Sequence, residues 1–380
     1  MKEIENSARI AALEASAAGT NWTFAPMVDI SRDARWGRVM EGAGEDPYLG
    51  SLIAAARVKG FQGDDLSKHN TIAATAKHFA GYGFSESGRD YNTVDVSKNT
   101  LYNVILPPFK ASVDAGVRTF MNGFNELDGI PVTGSTFLQR DLLKGEWGFD
   151  GFVISDWGSI AEMIPHGYAR DGSHATELAV KAGSDMDMES HLYIKKIKDL
   201  IESKKLNIEL VDDAVSRILR VKFELGLFED PYRYLDTDRE KEVLYHPDNQ
   251  KGVLEMAKKS IVLLKNKTQL LPLKKENQTI ALIGALANDN NSPLGNWRTN
   301  SDNNTAITVF EGMKAYSKNK LIYKKGADVN LNNGGVVKFH EKVKINENDK
   351  TGFNSAKNAA RNADVVVMVL GEDGFQTGEG

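Results

Sequence analysis

Short apolar segments ending on polar or charged residues recur along this chain, and a helix-forming stretch follows each of them. Ile72-Ala73-Ala74-Thr75-Ala76-Lys77-His78-Phe79 is one, Gly151-Phe152-Val153-Ile154-Ser155 another, and residues 22–30, 118–125 and 183–188 read the same way. Such alternation constrains the fold strongly, because parallel strands need a long crossover between them and a helix is the usual one. The regular spacing favours a barrel over an open sheet, and the strands counted here fall short of the eight that close one. The expected fold is α/β: an incomplete (β/α)8-type barrel followed by a partial α/β sandwich domain.

The intervening helices carry their own signals. Asp46-Pro47 reads as an N-cap followed by proline in the first turn. Periodic apolar positions predict helices over 3–18, 98–109, 135–144, 175–182, 191–203 and 209–225. The barrel is expected over 1–228. Residues 229–250, dense in Asp, Glu, Arg, Tyr and Pro, are expected to be a linker, and 251–380 the second domain. There, strands are expected at 279–284, 321–323 and 365–370, helices at 253–260, 310–317 and 355–362, and a polar surface excursion over 331–350. Both ends read as interior to a longer protein, lacking early barrel strands and the later part of the sandwich.

Composition narrows the function. The 380 residues carry a net charge of −5 with no basic stripe, so nucleic acid is not an expected partner. No apolar run is long enough to span a bilayer. The absence of cysteine excludes disulfides, zinc–thiolate sites and cysteine nucleophiles. No His-x-x-x-His occurs, Asp185-Met186-Asp187 lacks the EF-hand pattern, and the glycine runs match neither phosphate-binding fingerprint, so neither metal nor cofactor is expected.

The strand-tip residues carry the chemistry. Asp156 follows Gly151–Ser155, and the C-terminal ends of barrel strands are where such folds place catalytic groups. Trp157 beside it offers a flat apolar face for a sugar ring; the alternative is that Asp156 merely caps the next helix. Lys77 and His78 put two donors at another tip, although adjacent residues on a straight strand face opposite ways. Arg32, Arg35 and Arg38 surround Trp36 in a third loop, suited either to hydroxyls or to an internal network with Asp33, Glu41, Glu45 and Asp46. Carboxylates at tips or in loops are Asp29, Asp156, Asp185, Glu372 and Glu379, and a pair of carboxylates is what glycoside cleavage needs.

These residues sit in WTFAPMVDISRDARWGRVMEGAGEDPYL, TAKHFAGYG, MNGFNELDGIP, GEWGFDGFVISDWGSI, AVKAGSDMDM, KSIVLLKN and VVVMVLGE. In that order they resemble glycoside hydrolase family 3, on its bacterial periplasmic β-glucosidase branch. The resemblance implies a retaining, exo-acting β-glucosidase that removes non-reducing-end glucosyl residues from β-glucosides or short oligosaccharides. It implies Asp156 as nucleophile and Glu379 as acid/base. Arg38, Lys77 and His78 would be hydroxyl donors, with Met121, Phe124 and Trp157 lining the pocket. It also implies a periplasmic or secreted parent protein. Ala34 and Gly123 stand where the family usually has Pro and Ser, and the family's Asp-x-x-His-Gly motif is absent, so the chain alone is expected to be weakly active or inactive. Asp90-Tyr91-Asn92 lacks the histidine of the N-acetylglucosaminidase branch. A β-xylosidase and an impaired sugar-binding fragment remain as alternatives, with a Schiff-base aldolase using Lys77 as a remote one. The sequence leaves a homo-oligomer open.

Overall fold

The alternation resolves into parallel pairing in the computed structural model, which describes residues 1–298, 301–332 and 343–379. The chain divides into two compact units, Met1–Val262 and Leu263–Gly380.

In the first unit β1 (Thr75–Phe79), β2 (Thr119–Asn122) and β5 (Phe152–Ile154) form a parallel sheet in the order β1-β2-β5; a small antiparallel hairpin of β3 (Glu126–Leu127) and β4 (Ile130–Pro131) lies between β2 and β5 in the chain. Residues 22–30, expected as a strand, are instead an extended segment joined to the sheet by bridges at Trp22–Ala73 and Met27–Lys77. Pro26 has no N–H to give a ladder, which limits regular pairing there. Residues 183–188 likewise touch the sheet through one bridge, Ile154–Met186. The Asp185 carboxylate, rather than a backbone carbonyl, accepts the Val153 N–H at 2.8 Å. These segments still supply the outer members of the parallel array, as in a barrel-type unit.

Side chains on one face of the sheet pack under the helices. Phe79, Phe109 and Phe120 meet edge-on or tilted, and Phe149 closes on Phe120 with ring centroids 4.9 Å apart. Each is buried, and a buried aromatic or aliphatic side chain of this size contributes roughly 1.5–3 kcal/mol. Gly151 admits β5 beside β2, since a Cβ there would lie 2.1 Å from the Arg118 carbonyl.

The helix Pro47–Gln62 begins as expected, with Asp46 accepting from the backbone N–H groups of Tyr48 and Leu49 at 2.8 and 3.3 Å. The single helix expected over 98–109 is broken. A short turn, Lys98–Thr100, widens into a π-helical stretch, Leu101–Ile105, before a new helix, Pro107–Asp114. Two consecutive prolines, Pro107 and Pro108, cannot donate to the preceding turn, and Leu106 N–H bonds five residues back to Leu101. Phe137–Glu146 is π-helical as well.

Residues 229–250, expected as a linker, carry the helix Thr237–Val243 and the start of Pro247–Ser260 and lie within the first unit. Their polar side chains hold them there: Tyr234 donates to the Thr71 carbonyl at 3.2 Å, Arg239 to that of His69 at 2.8 Å, and Asn249 to Glu14 at 3.1 Å.

The second unit is a parallel sheet of β6 (Thr279–Ile283), β7 (Lys320–Lys324) and β8 (Val365–Met368), ordered β7-β6-β8. Thr308 and Glu311 form a reciprocal cap at the helix Val309–Tyr316, and the helix Phe353–Arg361 packs its Ala356 and Ala359 against Ala281 and Ile283. Of the excursion expected over 331–350, residues 333–342 lie outside the described residues. Among the described residues no helix is long and apolar enough to cross a membrane.

Candidate active site

The tips of β1 and β5 and the end of the 22–30 segment converge on a buried group of charged residues. The ladder between β1 and β2 runs Thr75 to Thr119 and Ala76 to Phe120, then slips to Phe79 against Asn122. One residue of β1 is therefore extra, and a bulge of this kind re-aims the side chains around it. Both Lys77 and His78 are buried at this tip, where the bulge departs from the straight strand on which adjacent residues face opposite ways. The Lys77–His78 and Phe79–Ala80 peptides are cis.

His78 is fully enclosed between two carboxylates. Its Nδ1 lies 2.9 Å from Oδ2 of Asp29, and the same oxygen accepts the His78 backbone N–H at 2.8 Å. Its Nε2 lies 3.6 Å from Oδ2 of Asp156. Asp156 is itself almost buried and accepts the Trp157 backbone N–H at 2.7 Å through Oδ1. The cap residue of the following helix, Ser159–Glu162, is Gly158, so Asp156 does not serve as that helix's N-cap. Burial raises the Asp29 carboxyl to about 7 against the pull of the His78 N–H, Arg38 and Lys77. Burial also drives His78 well below its ordinary value, helped by the same two cations.

Arg38 is buried and pairs through Nε with Glu41 at 2.8 Å and through Nη2 at 3.1 Å. Its guanidinium carbon stands 5.6 Å from the centre of the Tyr82 ring. The internal-network reading of that loop is thus right for Arg38–Glu41 and for Arg35, which pairs with Asp33 at 2.6 Å on the surface. Arg38 nonetheless belongs to the charged group, since its field reaches Asp29 and His78.

An aromatic wall flanks these charges. Tyr82 meets His78 edge-on at 5.1 Å and Trp36 at 5.3 Å, and Phe124 stacks at a tilt on Tyr91 at 4.3 Å. The Trp36 indole donates to Asp90 at 2.6 Å. Gly83 lets the loop close on the first segment, because a Cβ there would lie 2.4 Å from the Ile30 carbonyl. Sequence reading missed Tyr82; its signal was an aromatic held between Gly81 and Gly83 straight after the Lys-His tip.

Trp157 is 60% exposed next to Asp156, as a stacking platform would be. Met121 is buried in a separate apolar cluster with Phe152 and Ile154, whereas Phe124 joins Met27, Trp36 and Tyr82. Asp185, a candidate from its position alone, is consumed structurally. Lys144 Nζ binds both its oxygens, at 2.7 and 2.8 Å, and burial raises its carboxyl while it lowers Lys144 to about 8.

Glu379 belongs to the second unit, half-buried at the end of the loop that follows β8. That loop packs on 291–298: the Arg298 guanidinium covers the Phe375 ring at 5.2 Å, and a Cβ on Gly378, whose φ is 142°, would lie 2.0 Å from the Asn296 amide.

Residues 1–221 match the glycosyl hydrolase family 3 N-terminal domain, and residues 261–380 match the family's C-terminal domain. A periplasmic beta-glucosidase of Salmonella typhimurium is 42% identical over 379 residues, 96% of this chain and 49% of that protein. A beta-xylosidase of Formosa agariphila is 35% identical, over 99% of this chain and 52% of its own length. Among solved structures, the beta-glucosidase from Listeria innocua in complex with isofagomine superposes with a TM-score of 0.91 at 40% identity, covering 100% of this chain and 50% of that one. The chain spans about half the length of the curated relatives it matches.

Proposed function

The chain belongs to glycoside hydrolase family 3, and from that membership we propose that it carries the glycone-binding half of a retaining, exo-acting β-glucosidase. The observation that supports this best is the enclosure of His78 between Asp29 and Asp156 beside the Arg38 and Lys77 charges. Asp156 is the nucleophile in this reading. Attack on the anomeric carbon needs an ionised carboxylate with an oxygen that is held and aimed, and the Trp157 N–H fixes Oδ1. Lys77, His78 and Arg38 then bind hydroxyls of the terminal sugar, with Trp157, Phe124 and Met121 as the apolar boundary.

Glu379 is the acid/base of the same proposal. It protonates the leaving oxygen and later deprotonates the water that releases the glycosyl-enzyme, the two-step route that returns the original anomeric configuration. The substrates are β-linked glucosides or short oligosaccharides, and the parent protein works in the periplasm or outside the cell; the relative from Salmonella typhimurium is named as periplasmic. A β-xylosidase is the second reading, favoured by the named relatives from Formosa agariphila.

Incubation with a 2-deoxy-2-fluoro-β-glucoside tests the assignment. Mass spectrometry is expected to find the fluoroglucosyl group on the peptide containing Asp156, and Asp156→Ala to abolish it. A label on any other residue would reject Asp156 as nucleophile. Faster labelling by the matching xyloside would decide for the xylosidase.

A further inference from the structure

Asp29 has no part in the proposed sugar pocket, yet it is almost fully buried. Oδ2 is committed twice to His78, to its backbone N–H and to its ring Nδ1. The other oxygen, Oδ1, is buried with no hydrogen-bond partner. On the far side of the imidazole, Nε2 is also buried with no hydrogen-bond partner, and it faces the Asp156 oxygen at 3.6 Å. A bare nitrogen lone pair facing a carboxylate oxygen in such a place would be repelled, whereas an N–H there is attracted to it.

We propose that Asp29 is a positioning residue that keeps a proton on Nε2 of His78, so that the imidazole presents an N–H donor to the carboxylate of Asp156. Asp29 does this by sharing a second proton with Nδ1. Written either as a carboxylic acid with a neutral imidazole or as a carboxylate with an imidazolium, the pair is neutral and Nε2 bears hydrogen. Loss of one proton leaves the Asp29 carboxylate accepting Nδ1–H, and Nε2 becomes bare. The raised Asp29 carboxyl and the depressed imidazole both fit the neutral pair, which gives up that proton near pH 7. The groups facing the pair are Arg38 and Glu41 from the loop after the first segment, Lys77 beside His78, the edge-on Tyr82 ring, and Asp156 beyond β5. The two cations favour releasing the proton; the Glu41 and Asp156 carboxylates favour keeping it. The consequence for catalysis rests on the reading of Asp156 as nucleophile, but the location of the proton does not.

Nitrogen-15 spectra of the histidine side chains in the full chain test this, with His78 picked out among the 7 histidines by its loss in His78→Gln. At about pH 6 Nε2 of His78 is expected to be protonated, and at about pH 8 bare with Nδ1 still protonated. In Asp29→Asn the amide oxygen must take the place that serves the backbone N–H, so it also accepts Nδ1–H, and Nε2 is expected to be bare at both pH values. Glucose affinity at the lower pH is expected to fall about tenfold with it, because the N–H that the sugar-pocket reading offers to a hydroxyl is gone, a loss on the scale of one hydrogen bond. A bare Nε2 in the wild type at the lower pH, or a protonated one retained in Asp29→Asn, overturns the proposal. If the variant does not fold, the wild-type titration alone decides. If glucose does not bind the wild type, the sugar-pocket reading fails while the nitrogen spectra still decide where the proton sits.

Discussion

The Asp29–His78 pair makes a prediction about stability that is separate from binding. Unfolded, an aspartate titrates at 3.8 and a histidine at 6.5; folded, burial raises the first and lowers the second. Between those two pH values the unfolded pair has an ionised Asp and a charged His, and the folded pair a protonated Asp and a neutral His. The proton count is the same, so the pair adds no slope to stability in that window. In Asp29→Asn only the depressed histidine remains. The unfolded state then binds one more proton than the folded state below the histidine's ordinary value, and stability falls as pH falls, by up to about 1.4 kcal/mol per pH unit. Urea midpoints of wild type and variant should diverge steadily on acidification from about pH 6.5 to about pH 4. Parallel curves would show that the two shifts do not offset each other as argued. At this scale the sequence made Asp156, Lys77 and His78 legible, because a polar residue at the end of an apolar run announces itself locally. The role of Asp29 was not legible, since it depends on the register that sets Met27 beside Lys77, far apart in the chain.

Elements are tied together here by polar side chains where the sheet pairing is sparse. Lys144, on the π-helical stretch Phe137–Glu146, donates to the Gly183 carbonyl at 2.9 Å and to both oxygens of Asp185, which in turn holds the Val153 N–H of β5. Both side chains are buried, at 5% and 1% exposure, so solvent screens the pair little. Replacing the lysine with an apolar residue of similar length strands a buried carboxylate. Lys144→Met is therefore expected to cost about 3–5 kcal/mol, read from the urea midpoint. A loss below about 1 kcal/mol would mean that water reaches Asp185 and replaces the ammonium. The positions of most helices and strands were legible from apolar period and capping residues. The widened turn over Leu101–Ile105 and the single-bridge segments were not, because each follows from a tertiary demand on the backbone: two prolines entering a packed helix in one case, a carboxylate displacing a ladder bond in the other.

For the whole molecule the two units differ sharply in core. Met1–Val262 contains an extensive apolar cluster built on Phe79, Phe109, Phe120 and Phe149, whereas Leu263–Gly380 buries mainly one strand's Ile280, Leu282 and Ile283 with Val365 and the alanines Ala281, Ala356 and Ala359. Its strand β8 leaves Val366 and Met368 at 41% and 58% exposure. Its buried cluster is smaller and holds no buried aromatic ring among the described residues, and apolar area is the main favourable term in folding, so the second unit has the weaker drive to fold. Units with separate cores unfold as separate cooperative steps, so calorimetry of the chain should resolve two transitions, the lower one belonging to the second unit. Ile283→Ala, at about 2–5 kcal/mol, should lower the first transition and leave the second in place, and Phe120→Ala should do the reverse. One transition moved equally by both substitutions would show instead that the chain folds as a single cooperative body, in which case Asp156 and Glu379 stand on parts of one folding unit and not on two.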